Sequence, residues 1–220
     1  MRRTAPAATN AAPAASLRAW VYGAGPTGAL TALAMARSGW AVELWDPLPP
    51  AALLERSRAY ALTHSSAELL QSLNLWQALQ PHLAPFCRLE LCDQALQQRV
   101  SFLGGDLPSR PGVGAAEAVG WILQHRPLMA LLLQELERQP RLDLHLGDAA
   151  GPGSAEGVDL EVAADGHHSP RRRAAGIRHW HRPYRQGCLT VQVRLRGSQP
   201  DQAWELFRPE GPFAVLPLGD

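Results

Sequence analysis

The chain contains no lysine; all 21 of its basic residues are arginine. A Schiff-base lysine and a P-loop lysine are therefore excluded. Cysteine is scarce as well. Cys87, Cys92 and Cys188 cannot all be paired into disulfides, are too few for a four-thiolate zinc site, and form no CxxC. Reduced, partly buried thiols in a cytosolic protein are the expectation. A charge surplus is missing too, because 21 Arg stand against 20 Asp and Glu for a net charge of +1. A dedicated nucleic-acid binder needs a basic excess to displace counterions, so the balance argues against that class. The uncharged run from Ala19 to Ala36 has near membrane-span length, but Gly23, Gly25, Pro26 and Gly28 interrupt its first half. Those residues suit a strand, a tight turn and a helix, so no transmembrane segment is expected. The pairs His167/His168 and His179/His181 have no carboxylate or thiol at ligand spacing, and no metal site is expected. A nucleophile elbow is absent; Ser65, Ser66 and Ser169 read as helix caps.

The 220 residues are 46% hydrophobic, enough to bury a core in one large domain or two small ones. The 19 Gly, 19 Pro, abundant Ala and Arg-only basicity reflect base-composition bias. Residues 1–16 are rich in Ala and Pro without acids, and read as a disordered tail.

The order of local signals then becomes informative. Ala19 to Tyr22 reads as a buried strand, GAGPTG as a tight turn, ALTALAMARSG as a helix ending near Gly39, and WAVELWD as a second strand ending in Asp46. Gly23, Gly25 and Gly28 occupy the three glycine positions of a dinucleotide-binding turn, with Ala24 between the first two. In such a turn Gly23 permits the sharp bend. Gly25 lets the backbone approach a pyrophosphate, and Gly28 lets the helix pack against the strand. The helix N-terminus offers free N–H groups and the positive end of a dipole to phosphate. Asp46 follows Gly28 by 18 residues, the spacing of an acid that accepts both ribose hydroxyls. This unit alone does not choose between FAD and NAD(P).

Further along, Ser65 and Glu68 form a capping-box pattern that predicts a helix from near Ser66, with Leu69, Leu70 and Leu73 on its apolar face. Arg58, in the loop before it, reads equally as a pyrophosphate clamp and as a surface residue. Residues 86–102 read as two strands joined by a turn around Asp93, and 104–118 as a Gly/Pro/Ala-rich loop. A short strand, GWILQ, precedes an apolar helix from about Pro127 to Arg138, whose polar end favours core packing over a membrane. RLDLHLG predicts another strand. The last local signature is DLEVAADGHHSPRRRAAGI: a strand running into Asp165 and Gly166, an N-cap at Ser169, Pro170 opening a short helix, and a stop at Gly176. Asp165 suits a ribityl or ribose hydroxyl and Arg172 a phosphate. The same residues also read as a capped surface helix with a solvated Arg run.

Taken in order, GAGPTG, Asp46, RAYALTHSS with LNLW, GWILQHRPLM, ADGHHSPRRRAAGI and AWELFRPEGPFAVLPL resemble the class A flavoprotein aromatic hydroxylases, in particular the ubiquinone-biosynthesis hydroxylase branch. The similarity runs from about Leu17 to Asp220. It implies an α/β fold: a doubly wound, glutathione-reductase-like Rossmann domain for FAD over 17–185, with a substrate-side excursion near 84–118. The beginning of a mixed-sheet substrate domain would follow over 186–220. It implies FAD held by Gly23, Ala24, Gly25 and Gly28, with Asp46 on the ribose and Arg58 near the pyrophosphate. Asp165 and Gly166 would belong to a motif shared between FAD and NAD(P)H. The implied reaction uses NAD(P)H to reduce FAD and passes one oxygen of O₂ to an electron-rich phenol. The flavin carries that chemistry, so no catalytic side chain is named. The implied substrate is an aromatic small molecule such as a polyprenyl phenol. The implied setting is cytoplasmic, with peripheral membrane or biosynthetic-complex contact and no nucleic acid.

Two departures accompany the resemblance. Gly219-Asp220 follows the PFAVLPL strand and so is not the family's later GD motif. The stretch from Asp148 to Gly157 is short where the family places a β-meander. The sequence therefore reads as C-terminally truncated, and the chain alone is expected to bind FAD weakly or not at all and to be poorly stable. The alternative is a catalytically inactive nucleotide-binding remnant or one half of a split flavoprotein.

Overall fold

Strand β1 (Arg18–Tyr22) lies inside a four-stranded sheet of order β8-β2-β1-β9, with β2 at Ala41–Asp46, β8 at Leu142–Leu146 and β9 at Leu160–Ala163. All three pairings are parallel. This is a computed structural model; it describes residues 16–107, 118–148, 151–153, 156–197 and 199–219. The tail expected over 1–16 lies outside the described residues except for Ser16. So do 108–117 of the expected loop, part of the Asp148–Gly157 stretch, and Asp220.

Alternation along the strands sorts the sheet into two faces. Val21, Val42, Leu44 and Leu142 point toward two helices, α1 (Pro26–Arg37) and α5 (His125–Glu137). Helix α1 meets the sheet through Ala29, Ala32, Leu33 and Ala36, spaced at i, i+3, i+4 and i+7. Three of the four are alanines, which lets the helix approach closely. Helix α5 buries Leu128, Met129, Leu132, Leu133 and Leu136. Fully burying each such side chain contributes roughly 2 kcal/mol. Arg37 ties the helices together: its guanidinium pairs with Glu135 at 2.7 Å and donates to the Leu73 carbonyl. Among the described residues no helix is long and apolar enough to cross a membrane.

Two smaller sheets adjoin this core. Strands β3 (Ala59–Leu62), β7 (Gly120–Gln124) and β4 (Leu83–Phe86) form an antiparallel sheet of order β3-β7-β4. Strands β5 (Arg88–Asp93) and β6 (Gln98–Leu103) pair as a hairpin, and β10 (Gln202–Phe207) lies parallel to β5. Strand β11 (Phe213–Val215) completes that mixed sheet. Ala84, Phe86, Ile122 and Ala203 form a second small core between the two sheets.

Several boundaries differ from the sequence expectation. Helix α3 spans His64–Ser72 and is capped by Thr63, whose hydroxyl accepts from the Ser66 N–H, rather than by Ser65. Three hydroxyls compete within four residues there. The start that is taken buries Ala67 and Leu70. Helix α5 begins at His125, two residues before Pro127. Short helices α2 (Pro50–Leu54) and α4 (Trp76–Leu79) occupy connections that the sequence reading left unassigned. Residues 186–197 form no regular strand, and the later part of the mixed sheet begins at Gln202. The capped helix α6 (Pro170–Ala174) follows the expected pattern, with the Ser169 hydroxyl accepting from the Arg172 N–H at 2.9 Å.

Candidate dinucleotide site

The carboxyl ends of β1, β2 and β9 converge, and the glycine turn leaves β1 at that edge. Gly23 has φ +96°, a left-handed backbone that favours glycine, and a Cβ on it would sit 2.4 Å from the Ala164 carbonyl oxygen. A Cβ on Gly28 would sit 1.7 Å from the Gly23 carbonyl oxygen. The turn is thus folded tightly onto itself and against the end of β9. Gly25 differs. Nothing lies within 4 Å of its would-be Cβ, so its backbone faces open space. Gly25 is also the N-cap of α1, with no side-chain cap and no acid in the first turn. The leading N–H groups of α1 and the positive end of its dipole are therefore left for an outside acceptor.

Asp46 is 8% exposed, and both of its oxygens are engaged. Oδ2 accepts from the Ala24 N–H at 2.7 Å and Oδ1 from the Leu48 N–H at 2.8 Å. The acid fixes the turn and the next loop. Each oxygen keeps a further lone pair for a ribose hydroxyl. Asp165 follows β9 beside Gly23, whose Cβ would come 2.8 Å from the Asp165 Cα. Its Oδ2 accepts from the Arg171 N–H at 3.3 Å, while its buried Oδ1 has no partner. A buried carboxylate oxygen without a donor is costly, and a ligand hydroxyl would satisfy it. Gly166 has φ +93° and turns the chain toward α6.

The structure thus brings Gly23, Ala24, Gly25, Gly28, Asp46 and Asp165 to one edge. Arg58 is exposed in the loop after α2, and its guanidinium makes no hydrogen bond or ion pair among the described residues. Arg172 turns back on its own loop, donating to the His167 carbonyl at 2.8 Å.

Sequence reasoning missed a polar network beneath the cradle. The Tyr22 hydroxyl donates to Glu161 at 2.7 Å, and the Arg171 guanidinium lies 3.9 Å over the Tyr22 ring. Burial, reinforced by the Glu161 hydrogen bond, pushes the Tyr22 phenol well above its ordinary range. Strand periodicity could have placed Tyr22 and Glu161 on one face, but not their register. Beside them Trp45 and His145 stack at 3.7 Å. Two open grooves, of about 830 and 860 Å³, lie elsewhere, one over β5, β6 and β10 and one along α4 and α5. Among the described residues no cluster of metal-ligating side chains occurs.

The fold is that of the FAD-dependent monooxygenases. A probable FAD-dependent monooxygenase from Pseudomonas aeruginosa superposes with a TM-score of 0.56 at 19% identity, over 77% of this chain and 48% of that one. Curated proteins similar to the chain in sequence include ubiquinone hydroxylases. The chain is 29% identical to a 3-demethoxyubiquinol 3-hydroxylase of Escherichia coli K12, over 91% of its own length and 54% of that protein. It is 28% identical to a ubiquinone hydroxylase of Rhodospirillum rubrum, over 90% of its own length and 48% of that protein. No protein-family model matches the chain. The chain spans about half the length of the curated relatives it matches.

Proposed function

We propose that this chain cradles the ADP portion of FAD and belongs to an NAD(P)H- and O₂-dependent monooxygenase that hydroxylates an aromatic ring. One observation carries the reading: the orphaned Oδ1 of Asp165 beside a glycine turn whose middle glycine faces open space. The donors and the steric gap fit a dinucleotide. The N–H groups opening α1 would hold the diphosphate, Gly25 would let it approach, and Asp46 would accept from ribose. Asp165 would accept from a ribose or ribityl hydroxyl. Bound FAD would supply the redox and oxygen-activating chemistry, while the protein orients it and excludes water.

The ubiquinone-hydroxylase homologues favour a polyprenyl phenol as the aromatic substrate. Such a substrate favours peripheral contact with a membrane or a biosynthetic complex. In this reading residues 17–185 form the cradle, apart from β5 and β6, which join the segment from 186 onward on the substrate side. A second reading, nucleotide binding without hydroxylation by this chain alone, is favoured by the exposure of Leu189, Val191, Val193 and Leu195 at 86%, 61%, 65% and 50%. A β-patterned segment is left without a sheet on the substrate side.

Titration of the full chain with FAD, followed by quenching of tryptophan fluorescence, tests the proposal. Saturable binding that ADP competes away is expected, weakened about tenfold by Asp165→Ala, the worth of one charge-assisted hydrogen bond. No saturation up to about 1 mM FAD, an affinity of only some 4 kcal/mol, would overturn it. NAD(P)H consumption on adding a prenylated phenol separates the first reading from the second.

A further inference from the structure

His125 opens α5 and is 1% exposed. Each of its three polar groups holds a different point of the chain. Its backbone N–H donates to the Arg58 carbonyl at 2.8 Å. Its Nε2 lies 2.7 Å from the Leu53 carbonyl oxygen, and its Nδ1 lies 2.7 Å from the Tyr60 hydroxyl. A carbonyl only accepts, so Nε2 carries a proton, and Nδ1 pairs with the Tyr60 hydroxyl. Burial raises the Tyr60 phenol above its ordinary value, against the lowering pull of Arg58 and Arg56, and so keeps that hydroxyl protonated.

These bonds fall on both sides of one loop. Leu53 lies in α2 before it, Arg58 is its last residue, and Tyr60 lies in β3 after it. The loop itself, Glu55, Arg56, Ser57 and Arg58, is exposed. A single buried residue therefore closes both ends of a short segment that carries two guanidinium groups. Closing the ends removes backbone freedom that a ligand would otherwise have to freeze. Guanidinium groups are suited to phosphate by their charge and planar fork of donors.

We infer that His125 is a positioning residue that clamps the 55–58 loop and presents Arg56 and Arg58 to a phosphate-bearing ligand. The ligand half of the inference rests on the dinucleotide reading above, whereas the clamp does not. The doubly hydrogen-bonded imidazole acts through the segments it holds, not as an acid or base.

Limited trypsin digestion of the full chain tests the clamp directly, with cleavage after Arg56 as the readout. His125→Leu should speed that cleavage about tenfold, as expected from losing two hydrogen bonds to the imidazole. His125→Gln, whose amide can still donate to the Leu53 carbonyl but loses the Tyr60 bond, should fall between the two, about threefold faster than wild type. Equal rates in wild type and His125→Leu overturn the clamp. Should circular dichroism show His125→Leu unfolded, Tyr60→Phe carries the test: about threefold faster cleavage, the worth of one hydrogen bond, is expected and an unchanged rate overturns it. The ligand half is tested by a double-mutant cycle on FAD affinity. His125→Leu should weaken binding about tenfold in the wild-type background and have no effect in Arg56→Ala/Arg58→Ala. Equal weakening in both backgrounds means a merely structural role and overturns it. If the wild-type chain binds no FAD, the dinucleotide reading falls and the ligand half with it, while the cleavage comparison still decides the clamp.

Discussion

Alanine at Gly25 and alanine at Gly28 are expected to fail in different ways, although the two positions are only three residues apart. At Gly28 the new Cβ would meet the Gly23 carbonyl oxygen at 1.7 Å, so the turn must open. Gly28→Ala is therefore expected to cost at least about 3 kcal/mol of stability, as overpacking against rigid backbone does. At Gly25 the φ of −64° suits any residue, and the Cβ meets nothing within 4 Å. Gly25→Ala should change stability by no more than about 1 kcal/mol, the difference between glycine and alanine at an N-cap. It should nonetheless lower FAD affinity about tenfold or more, because the Cβ fills the diphosphate approach. Urea denaturation and FAD titration of both variants separate the two costs. Both glycines were legible in the sequence as one spaced pattern. Which one is packed and which one is open was not, since that depends on Gly23 folding back over α1.

Helix α6 is the element on which Asp165 depends. It is five residues long and too short to be stable on propensity alone, so its cap, the Arg171 N–H bond to Asp165 and the Arg171 contact with the Tyr22 ring hold it. Ser169 is 3% exposed and caps the Arg172 N–H, while the Arg171 N–H reaches Asp165. Ser169→Ala should cost about 1 kcal/mol. Hydrogen exchange at the Arg171 and Arg172 amides should rise more than exchange in α1 or α5, and uniform exchange across the three helices would contradict the cap's local role. This element was legible because the cap, the proline and the terminal glycine all act within a few residues. Helix α3 was placed two residues late for the opposite reason. THSS offers several local caps of similar quality, and burial of Ala67 and Leu70 decided among them.

Across the whole molecule, strands far apart in the chain are joined by the polar network at Tyr22. Its hydroxyl bonds Glu161, 139 residues away, and locks β1 to β9 beneath the turn. Tyr22 is 5% exposed, and its phenol holds its proton to higher pH than a phenol in the unfolded chain. A raised folded value means that the stabilisation is fully present below the unfolded phenol's value near 10. Above it the unfolded state gains by ionising, and stability falls until the folded phenol itself titrates. Tyr22→Phe should cost about 1 kcal/mol near neutrality, the worth of one hydrogen bond. The variant should then lose less than wild type between about pH 9 and pH 11, a window that brackets the unfolded phenol's value. Urea midpoints measured across that window check both signs.

The sequence by itself determined the strand–turn–helix unit, the acid at Asp46, the capped helix after Asp165 and the apolar stripe of α5. Each is a local spacing of residue types, and local backbone geometry follows from such spacing. Tertiary structure alone decided that Asp165 lies against Gly23 with one oxygen unpaired, that Asp46 holds the Ala24 and Leu48 N–H groups, and that β5 runs parallel to β10. It also decided that His125 secures both ends of the loop carrying Arg58. These are contacts between residues distant in the chain, and they are fixed by how the sheets and helices pack rather than by any spacing along it.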